Sequence, residues 1–500
     1  MTEILLTHSY FLRFDPKEYR AMMPYPPLGT ITAASMLRSA GFGVALHDVM
    51  LADSEDEILG ALEKHQPRLL IIYDDSFNYL TKMCLSRMRE AAFRMAAHAR
   101  HMGCTVAVFS SDAADHLTEY FNHNVDFVVC GEAEVTLVEL AHSLLRDGTP
   151  AARNISGLAF SDHGSVTKTQ KRPILKNLDS LPIAAWDLVD LDLYRRVWHR
   201  GHGYFSLNIS TTRGCPFHCN WCAKPLYGQV YNSRSPRSVV DEMKFLREIA
   251  GPDHLWITDD IFGLKPGWIA EFARLVRAEN AVIPFKCLSR ADLLINDDTV
   301  RNLALAGCKS VWIGAESGSQ KVLDAMEKGT TIGEIRTATE LLHDSGISVG
   351  FFLQFGYPGE GWDEIRQTFE LVRTCGPDEI GVSVSYPLPG TSFYERVKAG
   401  LGVKQNWVDS QDLDVLFSGR YSRTFYRTLH KLLHKRFSIW KNMRQLRRTL
   451  RHPKKVRFST LRSLAAVLFH AITLPLFERR LDHERDQTEA SPLEPSPSRA

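Results

Sequence analysis

Short apolar runs alternate with longer amphipathic stretches through the first 150 residues. "EILLTH", "GVALHDV", "RLLIIYDD", "CTVAVFS" and "VDFVVCG" read as five buried parallel strands. "LGTITAASMLRSAG", "EDEILGALEKH" and "LTKMCLSRMREAAFRMAAHARHMG" carry apolar residues at helical spacing between them. This alternation predicts a doubly wound α/β domain over residues 1–150. Ligands of such sheets gather at the carboxyl ends of the strands. Those ends carry His8 to Tyr10, His47 and Asp48, Asp74 to Phe77, Ser110 to Asp112, and "GEAEVT" from Gly131.

Residues 151–203 read as a connector. "ISGLAFSDHGSVTKTQKRP" has the form of a hairpin turning at Asp162 to Gly164, and "LDSLPIAAWDLVDLDLY" that of an irregular strap. A second alternation runs over residues 204–404. Its strands are "FSLNIST", "HLWITDD", "FKCLSRA", "SVWIGAES", "VGFFLQFG" and "EIGVSVSYP", with helices such as "SPRSVVDEMKFLREIA" and "PGWIAEFARLVRAEN" between them. Six β/α units suggest an open, partial barrel, although periodicity alone does not separate that from a flat sheet. Residues 405–478 read as helical. The tail over 479–500, ending "EASPLEPSPSRA", has the composition of a disordered segment.

Charge changes this picture at one end only. The net charge is +2, but residues 419–477 hold 15 Lys or Arg and no acid. The tail from Glu478 carries −2, which leaves −11 on residues 1–418. A basic extension on an acidic body suggests contact with an anionic surface. "MTEILLTHSYF" offers no basic stretch before an apolar core, so a reducing, cytoplasmic setting is expected.

Of nine cysteines, Cys84, Cys104, Cys130, Cys287, Cys308 and Cys375 stand singly, where a buried free thiol is the plain reading. Cys215, Cys219 and Cys222 cluster in "TTRGCPFHCNWCAKPLYG". Three thiolates at spacings of four and three can grip one side of a 4Fe–4S cubane and leave one iron open. Structural zinc normally takes four ligands, and the fourth would have to be His218 inside the same loop.

"CPFHCNWC" resembles the cluster loop of the radical S-adenosylmethionine superfamily, which places it after the first barrel strand. The resemblance implies that Cys215, Cys219 and Cys222 each ligate an iron and that S-adenosylmethionine chelates the fourth. It implies Trp221 near the adenine, and Asp259 and Asp260 of "WITDDIFG" near the cofactor's amino group, with a helix cap as the plain alternative. Arg290 of "CLSRADLL" would pair with its carboxylate, unless it forms a salt bridge to a barrel acid. Glu316 and Ser317 would bond the ribose, and Gly356 and Gly359 of "GFFLQFGYPGE" would let the backbone approach the adenine.

The stretches "PYPPLGTITAASMLRSAGFGVALHDV" and "VVCGEAEVTLVEL" resemble the N-terminal domain of the branch in which a cobalamin-binding domain precedes the barrel. That branch includes the anaerobic magnesium-protoporphyrin monomethyl ester cyclase and carbon methyltransferases. The chain has no Asp-x-His-x-x-Gly for a lower cobalt ligand, and only position singles out His8 or His47. The resemblance implies an enzyme that generates a 5′-deoxyadenosyl radical and methylates or oxidatively cyclises an unactivated carbon of a small substrate. Cobalamin and a reduced flavodoxin or ferredoxin would take part. "LAAVLFHAITLPLF" is too short for a span of about 20 residues, and an interfacial helix on anionic lipid fits it better. That favours a lipophilic substrate. Two other readings are an RNA-modifying enzyme resembling the methylthiotransferases and a non-catalytic metal-stabilised binding protein.

Overall fold

The computed structural model describes residues 2–74, 86–147, 152–222, 227–296, 298–402, 413–450 and 458–489. Ser76 and Phe77, the start of the helix expected from Leu80, and the tail from 490 lie outside them.

The first sheet contains the five expected strands, β1 (Ile4–Thr7), β2 (Val44–His47), β3 (Leu69–Tyr73), β4 (Thr105–Phe109) and β5 (Phe127–Val129). They are parallel in the order β2-β1-β3-β4-β5. The continuous apolar runs follow from burial on both faces. Ile4, Leu6, Leu69 and Ile71 pack with Leu37, Leu137 and Leu140, while Leu5, Leu70 and Ile72 pack with Ile58, Leu62 and Met95 on the other side. The hairpin of β6 (Leu158–Asp162) and β7 (Ser165–Lys168) extends the same sheet antiparallel beyond β5. His163 and Gly164 at its tip both have positive φ, 49° and 85°, as a tight two-residue turn requires.

The connector is more ordered than its sequence suggested. Leu191–His202 is a helix, capped by the Asp190 side chain and ended at Gly203 with φ 76°. Its narrow apolar stripe of Tyr194 and Trp198 lies among charges, which hides the helical period.

The second sheet has six parallel strands in strict chain order, β8 (Ser206–Ile209), β11 (His254–Ile257), β12 (Phe285–Ser289), β13 (Cys308–Glu316), β14 (Ser348–Phe355) and β15 (Glu379–Val384). A short pair, β9 (Thr212–Arg213) and β10 (Asn232–Ser233), forms a separate ribbon after β8. Among the described residues no strand pairs with the outer edges of β8 and β15, so the barrel is open there. Alternate residues divide its two faces. Leu207, Ile257, Phe285, Val311, Phe351 and their neighbours pack against the surrounding helices. Asn208, Trp256, Lys286, Trp312 and Phe352 occupy the opposite face, toward the lumen.

A segment of the first domain fills the lumen at the amino ends of β8, β11 and β12. The Tyr25 hydroxyl lies 3.3 Å from the Ser206 hydroxyl, and its ring meets Trp198 and Trp256 at 5.2 and 4.9 Å. The Pro24 and Pro26 carbonyls accept from Trp198 Nε1 (2.6 Å) and Asn208 Nδ2 (3.1 Å). Higher up, Trp312 packs against Phe352 at 4.7 Å between ring centroids, the rings tilted by 34°. Gly350 leaves room for no side chain beneath this pair, since a Cβ there would lie 2.3 Å from the Trp312 ring, and Gly381 is a close fit, its Cβ position 3.3 Å from either ring.

The C-terminal region is an antiparallel helix pair, Arg423–Leu450 and Phe458–Glu489. Phe425, Leu429, Leu432 and Leu433 join the barrel core. The second helix runs on to Glu489, which corrects the expectation of disorder for residues 479–489. Leu481 is buried, Arg480 pairs with Glu484 at 2.8 Å, and the Thr428 hydroxyl bonds Glu484 across the pair. Among the described residues no helix is long and apolar enough to cross a membrane.

The glycine cradle gives a graded prediction. Gly350→Ala should lower stability by about 1–3 kcal/mol through overpacking, and Gly381→Ala by less, in urea unfolding followed by tryptophan fluorescence. Equal and negligible losses would contradict the close approach at Gly350.

Candidate functional site

The three thiols sit in the loop that leaves β8 through β9 and returns at β10. Gly214 opens this loop with φ 81°, and a Cβ there would lie 2.2 Å from the Val230 carbonyl oxygen, so the two limbs close only over glycine. Asp259, at the end of β11 and 1% exposed, fixes the entry to the loop. Its carboxylate accepts the Thr211 and Thr212 amides at 2.7 and 3.0 Å and the Thr211 hydroxyl. Burial pushes its pKa up to about 6, against those bonds. Asn220 fixes the far limb. Its Nδ2 donates to the Ala325 carbonyl (2.8 Å), its Oδ1 accepts from Tyr357 (2.8 Å), and its backbone bonds Met326 and Phe393.

Cations stand beside the middle thiol. Arg290, at the end of β12, lies 4.0 Å from Cys219 Sγ and 3.6 Å above the Phe217 ring, while its fork grips Asp292 at 3.0 and 3.2 Å. Lys328 is 2.9 Å from Glu316. Desolvation opposes its charge, but Glu316 and Cys219 outweigh this and raise its pKa. Neighbouring cations favour thiolate and offset the charge of an anionic cluster. His218 is exposed, and among the described residues no three His, Cys, Asp or Glu side chains gather as a single-ion site. Several buried polar atoms have no hydrogen-bond partner among the described residues: Trp221 Nε1, Gln354 Oε1, Thr330 Oγ1 and Glu360 Oε1. Three thiols, adjacent cations and these unanswered groups fit an iron–sulfur cluster with a polar organic ligand beside it.

The remaining expected residues divide into two kinds. Glu316 holds φ 55° where the β13–β14 register slips, and it faces Lys328. Gly356 (φ 80°) donates its amide to Glu360 at 2.6 Å and lies under the Tyr426 ring of the first C-terminal helix. Burial pushes Glu360 up to about 8, so it is largely protonated at neutral pH. Gly359 (φ 88°) borders open space. Asp260 is exposed. Ser317, by contrast, is fully buried and spends its hydroxyl on Thr368 (3.2 Å) and the Ser319 amide (3.1 Å). Asp259 likewise spends both oxygens on the loop.

The strand ends of the first sheet face this loop through an ion cluster that the sequence did not single out. Arg213, two residues before Cys215, is 4% exposed. It reaches Glu132 at 3.1 Å and Glu134 through both nitrogens, one at 3.3 Å, with the Tyr227 ring 5.1 Å away. Desolvation works against the guanidinium charge, but Glu134 and the other facing groups outweigh it and hold it firmly protonated. Burial raises the pKa of Glu132, which also accepts the Leu175 amide. His8 is not free: its Nε2 bonds Asp48 at 2.9 Å, and Asp48 also accepts from Tyr194 at 2.7 Å. His47 Nε2 has no hydrogen-bond partner among the described residues, and burial lowers its pKa. Sequence reasoning missed Arg213, Lys328 and Tyr426, and no local pattern around them marks the contacts they make.

Known proteins give the same picture. Residues 209–372 match the Radical SAM superfamily. An uncharacterized methyltransferase of Pyrococcus horikoshii is 27% identical over 76% of this chain and 81% of its own length. The anaerobic magnesium-protoporphyrin IX monomethyl ester cyclase of Synechocystis is 25% identical over 74% and 72%. Among solved structures, the radical S-adenosylmethionine methyltransferase TsrM of Kitasatospora setae, with cobalamin and a 4Fe–4S cluster bound, aligns with TM-score 0.65 over 80% of this chain and 75% of its own, at 20% identity. The cobalamin-dependent enzyme OxsB aligns with TM-score 0.68 over 98% and 72%, at 15% identity. Residues 209–372 are therefore a Radical SAM superfamily domain, and the chain shares the fold of those structures, a Rossmann-like sheet followed by a partial barrel.

Proposed function

We propose that the protein is an enzyme that carries a 4Fe–4S cluster on Cys215, Cys219 and Cys222, with S-adenosylmethionine beside it and cobalamin against the strand ends of the first sheet. It methylates or oxidatively cyclises an unactivated carbon of a small lipophilic substrate, with electrons from a reduced flavodoxin or ferredoxin. The observation that carries this reading is the three-thiol loop at the barrel mouth, flanked by Arg290 and Lys328 and tied by Arg213 to the cobalamin-type domain.

When bound, cluster and cofactors supply reductive cleavage of the sulfonium and a methyl carrier. The chain supplies position, charge and exclusion of water. Arg290 and Lys328 hold positive charge at the thiols. Trp221 Nε1, Gln354 and Thr330 offer hydrogen bonds to an amino acid–nucleoside ligand, and neutral Glu360 adds no anion beside it. Below lies the Trp312–Phe352 pair, seated on Gly350 and Gly381, with Phe352 37% exposed. An accessible aromatic pair in a barrel lumen suits an apolar, flat or isoprenoid substrate.

Cys215→Ala, Cys219→Ala and Cys222→Ala should each lose the cluster absorbance after anaerobic reconstitution and reduce 5′-deoxyadenosine release to background. Full iron content and turnover in all three would overturn the reading.

Phe352→Ser should keep the cluster yet weaken binding of an apolar probe such as protoporphyrin IX about tenfold, or ~1.4 kcal/mol, by fluorescence titration. Unchanged affinity would remove the aromatic pair from the substrate site.

Glu360 adds a pH signature. Its folded pKa of about 8 stands above the ordinary value of 4.5. The stability tied to the neutral carboxyl is whole below 4.5 and is lost as pH rises toward 8, because only the unfolded chain ionises in that window. Glu360→Gln stays neutral, so it should gain on the wild type in urea midpoint between pH 5 and pH 8. A constant difference would refute the buried neutral carboxyl.

A further inference from the structure

The second C-terminal helix is apolar on both sides. One side faces the first helix, where Lys435 Nζ lies 4.8 Å from the Phe477 ring centroid and 2.9 Å from Thr473. Among the described residues nothing covers the other side. Every exposed residue from 464 to 476 is apolar. Leu464, Leu468, Ile472 and Leu476 recur every fourth residue, 46%, 55%, 76% and 65% exposed, and Phe469 beside them is 61% exposed. Residues four apart lie on one face of a helix, so these form one continuous ridge. A contiguous apolar face of this kind marks a contact surface.

The charge around the ridge identifies what covers it. Arg479 and Arg480 are exposed just beyond Leu476, and Arg447 is exposed at the end of the first helix. The sequence between the two helices adds Arg451, Lys454, Lys455 and Arg457, Arg462 follows near the start of the second helix, and no acid occurs from 419 to 477. The ridge itself carries no acid, so a second copy packed in parallel would set these cations against themselves. Anionic lipid headgroups would satisfy them, with acyl chains meeting the ridge. The ridge extends over about 20 Å at 1.5 Å per residue, short of the roughly 30 Å hydrocarbon core. It therefore lies in the interface rather than crossing it.

We propose that the outer face of this helix pair docks the enzyme on an anionic phospholipid bilayer, with Leu468, Phe469 and Ile472 in the acyl boundary and the exposed Arg447, Arg479 and Arg480 at headgroup level. The proposal stands apart from the cofactor chemistry.

Full-length protein is sedimented with vesicles of phosphatidylcholine alone or mixed with phosphatidylglycerol. Wild type should bind the anionic vesicles, prefer them to the neutral ones, and bind less at about 0.5 M salt, where surface charges are screened. The double variant L468E/I472E changes only exposed side chains. It should bind at least about tenfold more weakly, since two buried aliphatic side chains are removed from the acyl layer, with unchanged circular dichroism and cluster content. Equal binding by variant and wild type, equal binding to both vesicle types, or no vesicle binding would each overturn the proposal. So would a dimer in analytical ultracentrifugation that the same variant abolishes while vesicle binding is absent, which would assign the ridge to a second copy.

Discussion

Arg213 is the constraint on which the rest of the arrangement depends. It is the last residue of β9, one step from the glycine that opens the thiol loop. Its guanidinium is buried between Glu132 and Glu134, which follow the last parallel strand of the first sheet. A buried ion cluster of this kind is no source of net stability, because desolvating three charged groups costs about as much as their attraction returns. What it provides is position. Removing one member would strand the others, a loss of about 3–5 kcal/mol, so the two sheets hold one relative placement at this point. That placement fixes where the cysteine loop begins.

From there the loop is held at every side that could shift it. Asp259 binds its entry, Asn220 its far limb, and Gly214 lets the limbs close. Asp259 takes its partners from the turn after β8, and Asn220 takes its own from Tyr357 after β14 and from two short helices of the barrel mouth. The same logic separates the expected site residues by what they touch. Asp259 and Ser317 are saturated by backbone and hydroxyl partners, which makes them supports of the loop and of the turn after β13. Arg290 and Glu316 keep their places beside Cys219 and Lys328. Gly356 carries the C-terminal helix, through Tyr426, directly onto the turn after β14. The extension is thereby part of the barrel mouth on one side, whatever its outer side meets.

The strands were legible in the chain because buried parallel strands are short apolar runs with punctuation between them. All five of the first sheet and all six of the barrel lie where the pattern put them, and the thiol spacing is local by nature. The features that were not legible depend on distance or on masking. Arg213 meets partners about 80 residues earlier in the chain, and nothing in "STTRGC" announces them. Tyr426 meets Gly356 across 70 residues of sequence. The helix Leu191–His202 keeps only two buried side chains among charges, so its period is faint. Residues 479–489 read as polar tail, yet Leu481 and Glu484 continue the seam of the helix pair.

The lumen and the outer ridge of the C-terminal pair express one physical rule in two places. A large apolar side chain left accessible costs free energy unless something covers it, at about 25 cal/mol per Å². In the lumen, Gly350 and Gly381 let the Trp312 and Phe352 rings lie directly against the strands, and the cost of glycine in strand interiors is borne to seat a pair whose outer side stays accessible. On the ridge, the helix spends five large apolar residues on water. Solubility alone would favour charge at every one of them, as it does at Arg479 and Arg480 one turn later. Two uncovered apolar surfaces on one chain, one enclosed and cradled by glycine, one convex and ringed by cations, differ in shape and charge as their occupants must. The concave surface fits a small molecule, and the convex one fits a surface larger than the protein.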